Sequence, residues 1–225
     1  MKVKGGRRAL VVFSGGQDST TCLYWAIRKF GRKNVVALTF DYGHRHRVEI
    51  RSARRIAALA RIGHFILNIN TFRALGNSSL TADLPISGKK GKTGLPNTFV
   101  PARNIVFAAF AAAFAYPRGI GHLVMGVCEA DTAGYPDCRR STMKALEKTL
   151  RYGMEFPFHI HTPLIRKTKV ETIRMAKALG AWKALSLSHT CYNGKVPPCG
   201  RCMACRLREE AFRKAGWPDP LKEER

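Results

Sequence analysis

Two groups of residues in this chain have types and spacings that can do chemistry. The first is Ser14-Gly15-Gly16-Gln17-Asp18-Ser19, which follows a short apolar run over 9–13 and opens an amphipathic stretch over 19–30. Strand, glycine turn and helix start together make an anion site, because successive backbone N–H groups and the positive end of the helix dipole point at one spot. Adjacent glycines let the chain turn sharply and let a phosphate approach with no Cβ in the way. Ser14 and Ser19 add hydroxyls, and Ser19 is placed to cap the helix. Neither Gly-Lys-Ser/Thr nor Gly-x-Gly-x-x-Gly is present here, so this is not a P-loop lysine site or a dinucleotide fingerprint. The second group is Cys191, Cys199, Cys202 and Cys205. Two Cys-x-x-Cys pairs sharing Cys202, with a fourth thiol just upstream, form a metal-ligand set. A closed four-thiolate site reads first as structural zinc, and an iron–sulfur cluster is the competitor. Of the other three cysteines, Cys22 and Cys128 read as core, while a covalent role for Cys138 stays open.

Further reactive side chains lie where apolar runs end. Asp41 can accept from a ribose or adenine donor and Tyr42 can stack on a base; His44 and His46 follow them. Arg103 and Asn104 open a very apolar helix, where a positive charge is out of place unless it meets an anion. Asp131, Tyr135, Asp137 and Arg139 crowd one loop, a set suited to a heterocycle held by edge hydrogen bonds and stacking. Lys169 sits in a capping box, Thr168-Lys169-Val170-Glu171, again on the wrong end for the helix dipole. The run Gly88-Lys89-Lys90-Gly91-Lys92-Thr93-Gly94 reads as a solvated tip, or as a lid whose lysines close over phosphates.

The elements that must position these groups alternate. Strands are expected at 10–13, 35–40, 65–69 and 123–127, with helices at 19–30, 49–62, 103–116, 141–152 and 168–179. Strand–helix alternation predicts an α/β fold with a doubly wound, mostly parallel sheet, whose ligands lie beyond the carboxyl ends of the strands. The expected division is a nucleotide-binding α/β domain at 1–165 and a C-terminal helical segment with the four cysteines at 166–225. The longest apolar run, 105–116, is too short to span a bilayer. The basic start, Met1 to Arg8, has no secretory apolar region behind it, and a cytoplasmic location is expected. The formal net charge is +24, from 39 basic and 15 acidic residues. That charge fits a polyanionic partner, yet the basic residues are scattered, so nucleic acid is allowed but not required.

The string Ser-Gly-Gly-x-Asp-Ser resembles the PP-loop of the ATP pyrophosphatases, which bind ATP, release pyrophosphate and leave AMP on an acid or carbonyl oxygen. With Phe40-Asp41-Tyr42-Gly43, Phe99-Val100-Pro101-Ala102-Arg103-Asn104, Gly134-Tyr135-Pro136-Asp137-Cys138-Arg139, Thr162-Pro163-Leu164 and the cysteine set, the chain resembles the QueC family of 7-cyano-7-deazaguanine synthases from Phe13 to about Arg208. The resemblance implies an ATP-dependent ligase of queuosine biosynthesis that turns 7-carboxy-7-deazaguanine and ammonia into a nitrile, with Mg2+, structural Zn2+ and a homodimer. It implies nucleotide contacts from Phe13, Ser14, Gly15, Gly16, Gln17, Asp18, Ser19, Thr20, Thr21, Cys22, Leu23 and Asp41. Asp18, Arg103 and Lys169 are the expected catalytic residues; Tyr42, Asn104, Asp131, Tyr135, Asp137 and Arg139 are expected to hold the base. The chain departs from the family pattern at His44, Ala133 and Arg140, the last two flanking the expected base pocket. The alternatives are a PP-loop tRNA-modifying enzyme of the thiolation or lysidine type, or a variant handing the activated deazaguanine to another amine.

Overall fold

The computed structural model describes residues 6–42, 48–69, 78–80, 94–129 and 135–223. Five strands, β1 Gly6–Val12, β2 Val35–Asp41, β3 Gly63–Asn68, β4 Ile120–Val124 and β5 His159–His161, form one sheet in the order β3-β2-β1-β4-β5. Every pairing is parallel. The expected doubly wound α/β architecture is therefore present, with one strand more than the hydrophobic runs predict. β5 is only His-Ile-His, too short and too polar to show an apolar period. Its outward Ile160 N–H donates to Glu147 Oε2 at 2.6 Å, which occupies a group that an edge strand otherwise offers to another chain.

The helices are α1 Gln17–Phe30, α2 Val48–Ala60, α3 Arg103–Ala115, α4 Arg140–Gly153, α5 Lys169–Ala178, α6 Trp182–Ser186, α7 Met203–Ala215 and α8 Pro220–Glu223. Period-two alternation along the strands builds a core on each face of the sheet. Leu10, Leu38, Phe40 and Leu123 pack with α3 and α4. Ala9, Val11, Ala37 and Val124 pack with α1, α2 and α6 on the other face. α3 carries Ala108, Ala111, Ala112 and Ala115 inward with no exposed area, so its alanines let it lie close against the sheet. α5, α6 and α7 share a third core around Ile173, Leu185 and Phe212, joined to α1 through Tyr24. No helix among the described residues is long and apolar enough to cross a membrane.

Two local expectations meet different fates. α5 starts with the full capping box: Glu171 N–H donates to Thr168 Oγ1 at 3.2 Å, and Thr168 N–H donates to Glu171 Oε2 at 2.7 Å. α1, in contrast, begins at Gln17 rather than at 19, with Gly16 as the capping position and no side-chain cap. Ser19 thus lies inside the first turn. Its hydroxyl donates to the Gly16 carbonyl at 3.1 Å and accepts from the Ser14 N–H at 3.3 Å, so it closes the glycine turn instead of capping the helix.

Candidate active site

The crevice of a doubly wound sheet opens where strand order reverses. Here that point lies between β1, which leads outward to β2 and β3, and β4, which leads to β5. A cleft of about 320 Å3 occupies it. Its walls come from the glycine turn and the start of α1, Tyr42 after β2, Glu49 in α2, the start of α3, Met125 to Cys128 after β4, Tyr135 and Cys138, Lys169, and Thr190 to Tyr192.

The glycine turn is built by close approach. Gly15 has φ +82°, and a Cβ there would stand 2.6 Å from the Ala53 N and 2.7 Å from the Glu49 carbonyl oxygen of α2. Only glycine fits on both counts. From the other side, a Cβ on Gly126 would stand 3.2 Å from the Ser19 N, so the segment after β4 also rides against the start of α1. Main chain closes in on the turn from two directions, and within it the Ser14 and Gly16 N–H groups donate to Ser19 Oγ and Ser14 Oγ, each at 3.3 Å.

Asp18 and Lys169 meet across 151 positions of sequence, Nζ to Oδ2 at 2.6 Å. The wrong-end lysine of α5 is therefore matched by an acidic residue on the favourable end of α1. Asp18 Oδ1 is out of contact with solvent and has no hydrogen-bond partner among the described residues. A buried carboxylate oxygen without a donor is costly, and a bound cation is the natural complement to it. The turn, its two serine hydroxyls, Asp18 and Lys169 thus fit a Mg2+–polyphosphate.

Asn104 and Asp137 form the second joint. α3 has no cap of its own, and Ala102 before it is left-handed at φ +57°. Asp137, only 4% exposed, supplies the cap from another loop: its Oδ2 accepts from both the Asn104 N–H and the Asn104 Nδ2, each at 2.9 Å. Asn104 Nδ2 also lies 3.4 Å from Cys138 Sγ. Tyr135 shares a 2.7 Å hydroxyl hydrogen bond with Thr98 and packs on Phe99 with ring centres 5.5 Å apart. Arg103 reaches the Tyr42 hydroxyl at 3.5 Å and lies over that ring at 5.9 Å. Burial works to lower the Arg103 pKa, but Tyr42, Asp137, Tyr192 and Tyr135 together hold it above its ordinary value, so the residue is a permanent cation.

The expected residues divide accordingly. Ser14, Gly16, Gln17, Asp18, Ser19, Tyr42, Arg103, Asn104, Tyr135 and Lys169 all line the cleft. Thr20, Thr21, Cys22 and Leu23 do not; helical period turns their side chains into the core, each with no exposed area. Phe13 is core as well, Asp41 ends β2 without lining the cleft, and Asp137 organises α3 from behind it. Arg139 is exposed ahead of α4. Asp131, His44, His46 and the run 88–93 lie outside the described residues. Glu49 is the wall residue that sequence reading missed. Burial pushes its carboxyl up to about 7, against the pull of Arg103. Its only sequence signal was its place in the helix that follows the post-β2 loop.

The four cysteines come together as their spacing predicts. The Sγ atoms of Cys191, Cys199, Cys202 and Cys205 all lie within 4.8 Å of one another. N–H groups point at them: Asn193 Nδ2 to Cys199 Sγ at 3.2 Å, Cys199 N to Cys191 Sγ at 3.4 Å, and Cys202 N to Cys199 Sγ at 3.4 Å. Burial acts to raise the Cys199 pKa, but Asn193 and the Cys202 and Arg201 backbone bring it down to about 6. Four convergent sulfurs with N–H donors suit a tetrahedral thiolate site. Arg208, three residues after the last of these cysteines, makes its own network. It faces Asp219 through two bonds of 2.7 and 2.8 Å, and donates to Ser188 Oγ and the Leu185 carbonyl.

A parallel sheet whose central strand delivers a glycine turn beside a lysine–aspartate pair defines an α/β protein with a candidate anion site at its switch point. The chain belongs to the QueC family: the sequence profile described as "Queuosine biosynthesis protein QueC" matches residues 8–216. It is 56% identical over 225 residues to a 7-cyano-7-deazaguanine synthase from Chromobacterium violaceum, covering 99% of this chain and 96% of that one. It is 56% identical over 215 residues to another from Laribacter hongkongensis, covering 95% and 93%. Among solved structures, the U34-tRNA thiolase NcsA from Methanococcus maripaludis, with its [4Fe-4S] cluster, has the same fold. That likeness has a TM-score of 0.53 at 17% identity and covers 99% of this chain and 68% of the other.

Proposed function

We propose that this chain is an ATP-dependent 7-cyano-7-deazaguanine synthase, making the nitrile from 7-carboxy-7-deazaguanine and ammonia. The observation that carries the reading is the cleft at the β1–β4 switch point. It unites an anion-binding turn, a permanent cation and aromatic walls in a chain of this family. ATP lies with its phosphates on the N–H groups of 14–19 and its pyrophosphate end beside Asp18 and Lys169. Asp18 would hold Mg2+, which would supply charge neutralisation on the leaving pyrophosphate. Arg103 and Lys169 stabilise the charge that develops as the substrate carboxylate attacks the α-phosphorus. Ammonia then displaces AMP to give the amide, and adenylation of the amide oxygen precedes loss of a second AMP as the nitrile forms. Tyr42, Asn104 and Tyr135 hold the base, with Asp137 fixing Asn104.

Cys191, Cys199, Cys202 and Cys205 hold a structural Zn2+, which ties the segment at 190–205 to the cleft wall. The segment 166–225 is then a partner to the unit at 1–165 rather than a separate module, since Lys169, Cys191 and Tyr192 line the same cleft. We place the enzyme in the cytoplasm as a homodimer; Ile105 and Phe110 of α3 and Phe65 of β3, each more than a third exposed, are apolar surface for a second copy. One incubation tests the central reading. Purified protein with 7-carboxy-7-deazaguanine, ammonium and Mg-ATP should yield nitrile and AMP by mass spectrometry. No AMP from that mixture sinks the synthase reading, and iron in place of zinc by elemental analysis sinks the zinc assignment.

A further inference from the structure

The helix α4 carries a charge pattern that the cleft does not use. Arg140, Lys144, Lys148 and Arg151 are all exposed, and their spacing puts them within one arc of about 80°. They form a row about 16 Å long, with successive charges about 5–6 Å apart along the axis. Glu147 is the only carboxylate in the helix, and it accepts from the Ile160 N–H of β5. No ion pair among the described residues involves any of the four cations. The start of the helix extends the row, since Arg139 precedes it and its first turn has neither a side-chain cap nor an acidic residue. Like charges one turn apart repel, so the row works against its own helix until an anion lies along it. Beside it stands Tyr152, 72% exposed, with Lys148 Nζ 5.7 Å from its ring centre and no ring–ring contact among the described residues.

Going beyond the synthase reading, we propose that α4 docks single-stranded RNA, with phosphates along the four cations and an unpaired base stacked on Tyr152. A phosphate backbone is a polyanion of closely repeated charge, and release of its counterions drives it onto such a row. An exposed aromatic among cations is the stacking platform of single-strand binding. Unpaired bases are the ordinary state of RNA loops, whereas a duplex keeps its bases stacked on one another and offers none to Tyr152. A lipid surface fits poorly, because an interfacial helix sinks its apolar side into the membrane. The apolar side of α4, Met143, Leu146 and Leu150, is packed into the protein core. An acidic polypeptide would meet the charges but give Tyr152 no base. The formal charge of +24 supplies long-range attraction, and α4 gives a strand a place to lie. The helix α2 is the internal comparison. It exposes Arg51, Arg54 and Arg55, as many charges as Lys144, Lys148 and Arg151, but crowds them into little more than one turn of a helix without an aromatic residue.

The test titrates full-length, metal-loaded protein into a fluorescein-labelled single-stranded RNA of about 20 nucleotides, read by fluorescence anisotropy across a salt series. Four phosphate contacts predict a slope of about −3 for log K against log salt. The triple variant Lys144→Gln, Lys148→Gln, Arg151→Gln should bind about 30-fold more weakly at about 0.1 M salt, with the slope reduced by about 2. Tyr152→Ala should lose about 10-fold with its slope unchanged. The charge-matched variant Arg51→Gln, Arg54→Gln, Arg55→Gln should stay within about threefold of wild type. None of these residues lines the cleft, so failure of the synthase reading leaves the expectations unchanged. Equal losses in the two triple variants mean that net charge alone attracts RNA, and overturn the proposal. It is also overturned if wild type binds no RNA at low salt, or binds the duplex as tightly with Tyr152→Ala indifferent. Tighter binding to phosphatidylserine vesicles or to polyglutamate than to RNA overturns it as well. If the α4 variant does not fold, wild type decides: RNA should shield Lys144 and Lys148 from acetylation read by mass spectrometry, and equal labelling with and without RNA overturns the proposal.

Discussion

Two cation-to-aspartate pairs, one spanning 151 positions and the other 11, are opposites. Arg208 and Asp219 meet through two parallel bonds, are 5% and 8% exposed, and have further protein partners at Ser188 and Leu185. Lys169 and Asp18 meet through one bond, are 21% and 27% exposed, and leave Asp18 Oδ1 without a donor among the described residues. The first pair is complete within the protein and pins α7 to the end of α6 and to the turn before α8. The second leaves one carboxylate oxygen unmet; the cleft itself does not distinguish the pairs, since Arg208 lines it as Asp18 and Lys169 do. A pair that protein groups fully satisfy holds a fold together, whereas one left with a demand is built to meet a ligand.

Mutations should separate the two kinds of region. The largest effect is expected at the cysteine corner. Cys205→Ser should lose the bound metal by elemental analysis and lower the melting temperature by more than about 10 °C, because metal binding there is folding free energy. Arg208→Met comes next: it strands a buried carboxylate and should cost about 3–5 kcal/mol in denaturant melts. Replacing Asp219 with leucine in the same chain should recover much of that loss, with kcat per folded molecule falling far less than in Lys169→Met. Lys169→Met should reverse the pattern, with adenylation slowed about 10²–10³-fold and stability moved by less than about 1 kcal/mol. If Arg208→Met lowers kcat as much as Lys169→Met does, the contrast between the pairs fails.

The smallest effect concerns the far end of the sheet. His122 Nδ1 and His161 Nε2 lie 3.1 Å apart beside Phe30 and Trp25. Burial first, then Lys29, His122 and His159, lower the His161 pKa to about 4 from its ordinary 6.5. Unfolded chain therefore binds this proton in a range where folded chain does not. The stabilisation is present above pH 6.5 and lost as pH falls toward 4. His161→Gln should flatten that slope in thermal melts.

How far the molecule could be read in advance depended on the distance over which each feature is encoded. The glycine turn, the capping box at 168–171 and the cysteine spacing are local, and each forms, although Ser19 closes the turn rather than capping α1. Strands β1 to β4 carried apolar runs long enough to see. β5 did not, since His159 and His161 take an alternation without hydrophobic contrast. Thr20 to Leu23 were expected at the nucleotide because they continue the motif, but one turn of helix carries their side chains into the core. Asp137 was expected at the base, and its contact with the start of α3 is visible only when two loops meet. Glu49 drew no notice because a carboxylate's pKa depends on burial, and burial is not written in neighbouring residues.

The sequence by itself determined the family, the parallel α/β class, the anion-binding turn and the four-sulfur corner. Each follows from residue types a few positions apart, where backbone geometry leaves little choice. Only the tertiary structure decided that Lys169 reaches Asp18, that Asp137 holds Asn104, and that Glu49 joins the wall of the cleft. Those facts arise where segments remote in sequence share one cleft, where packing sets the distances between their side chains.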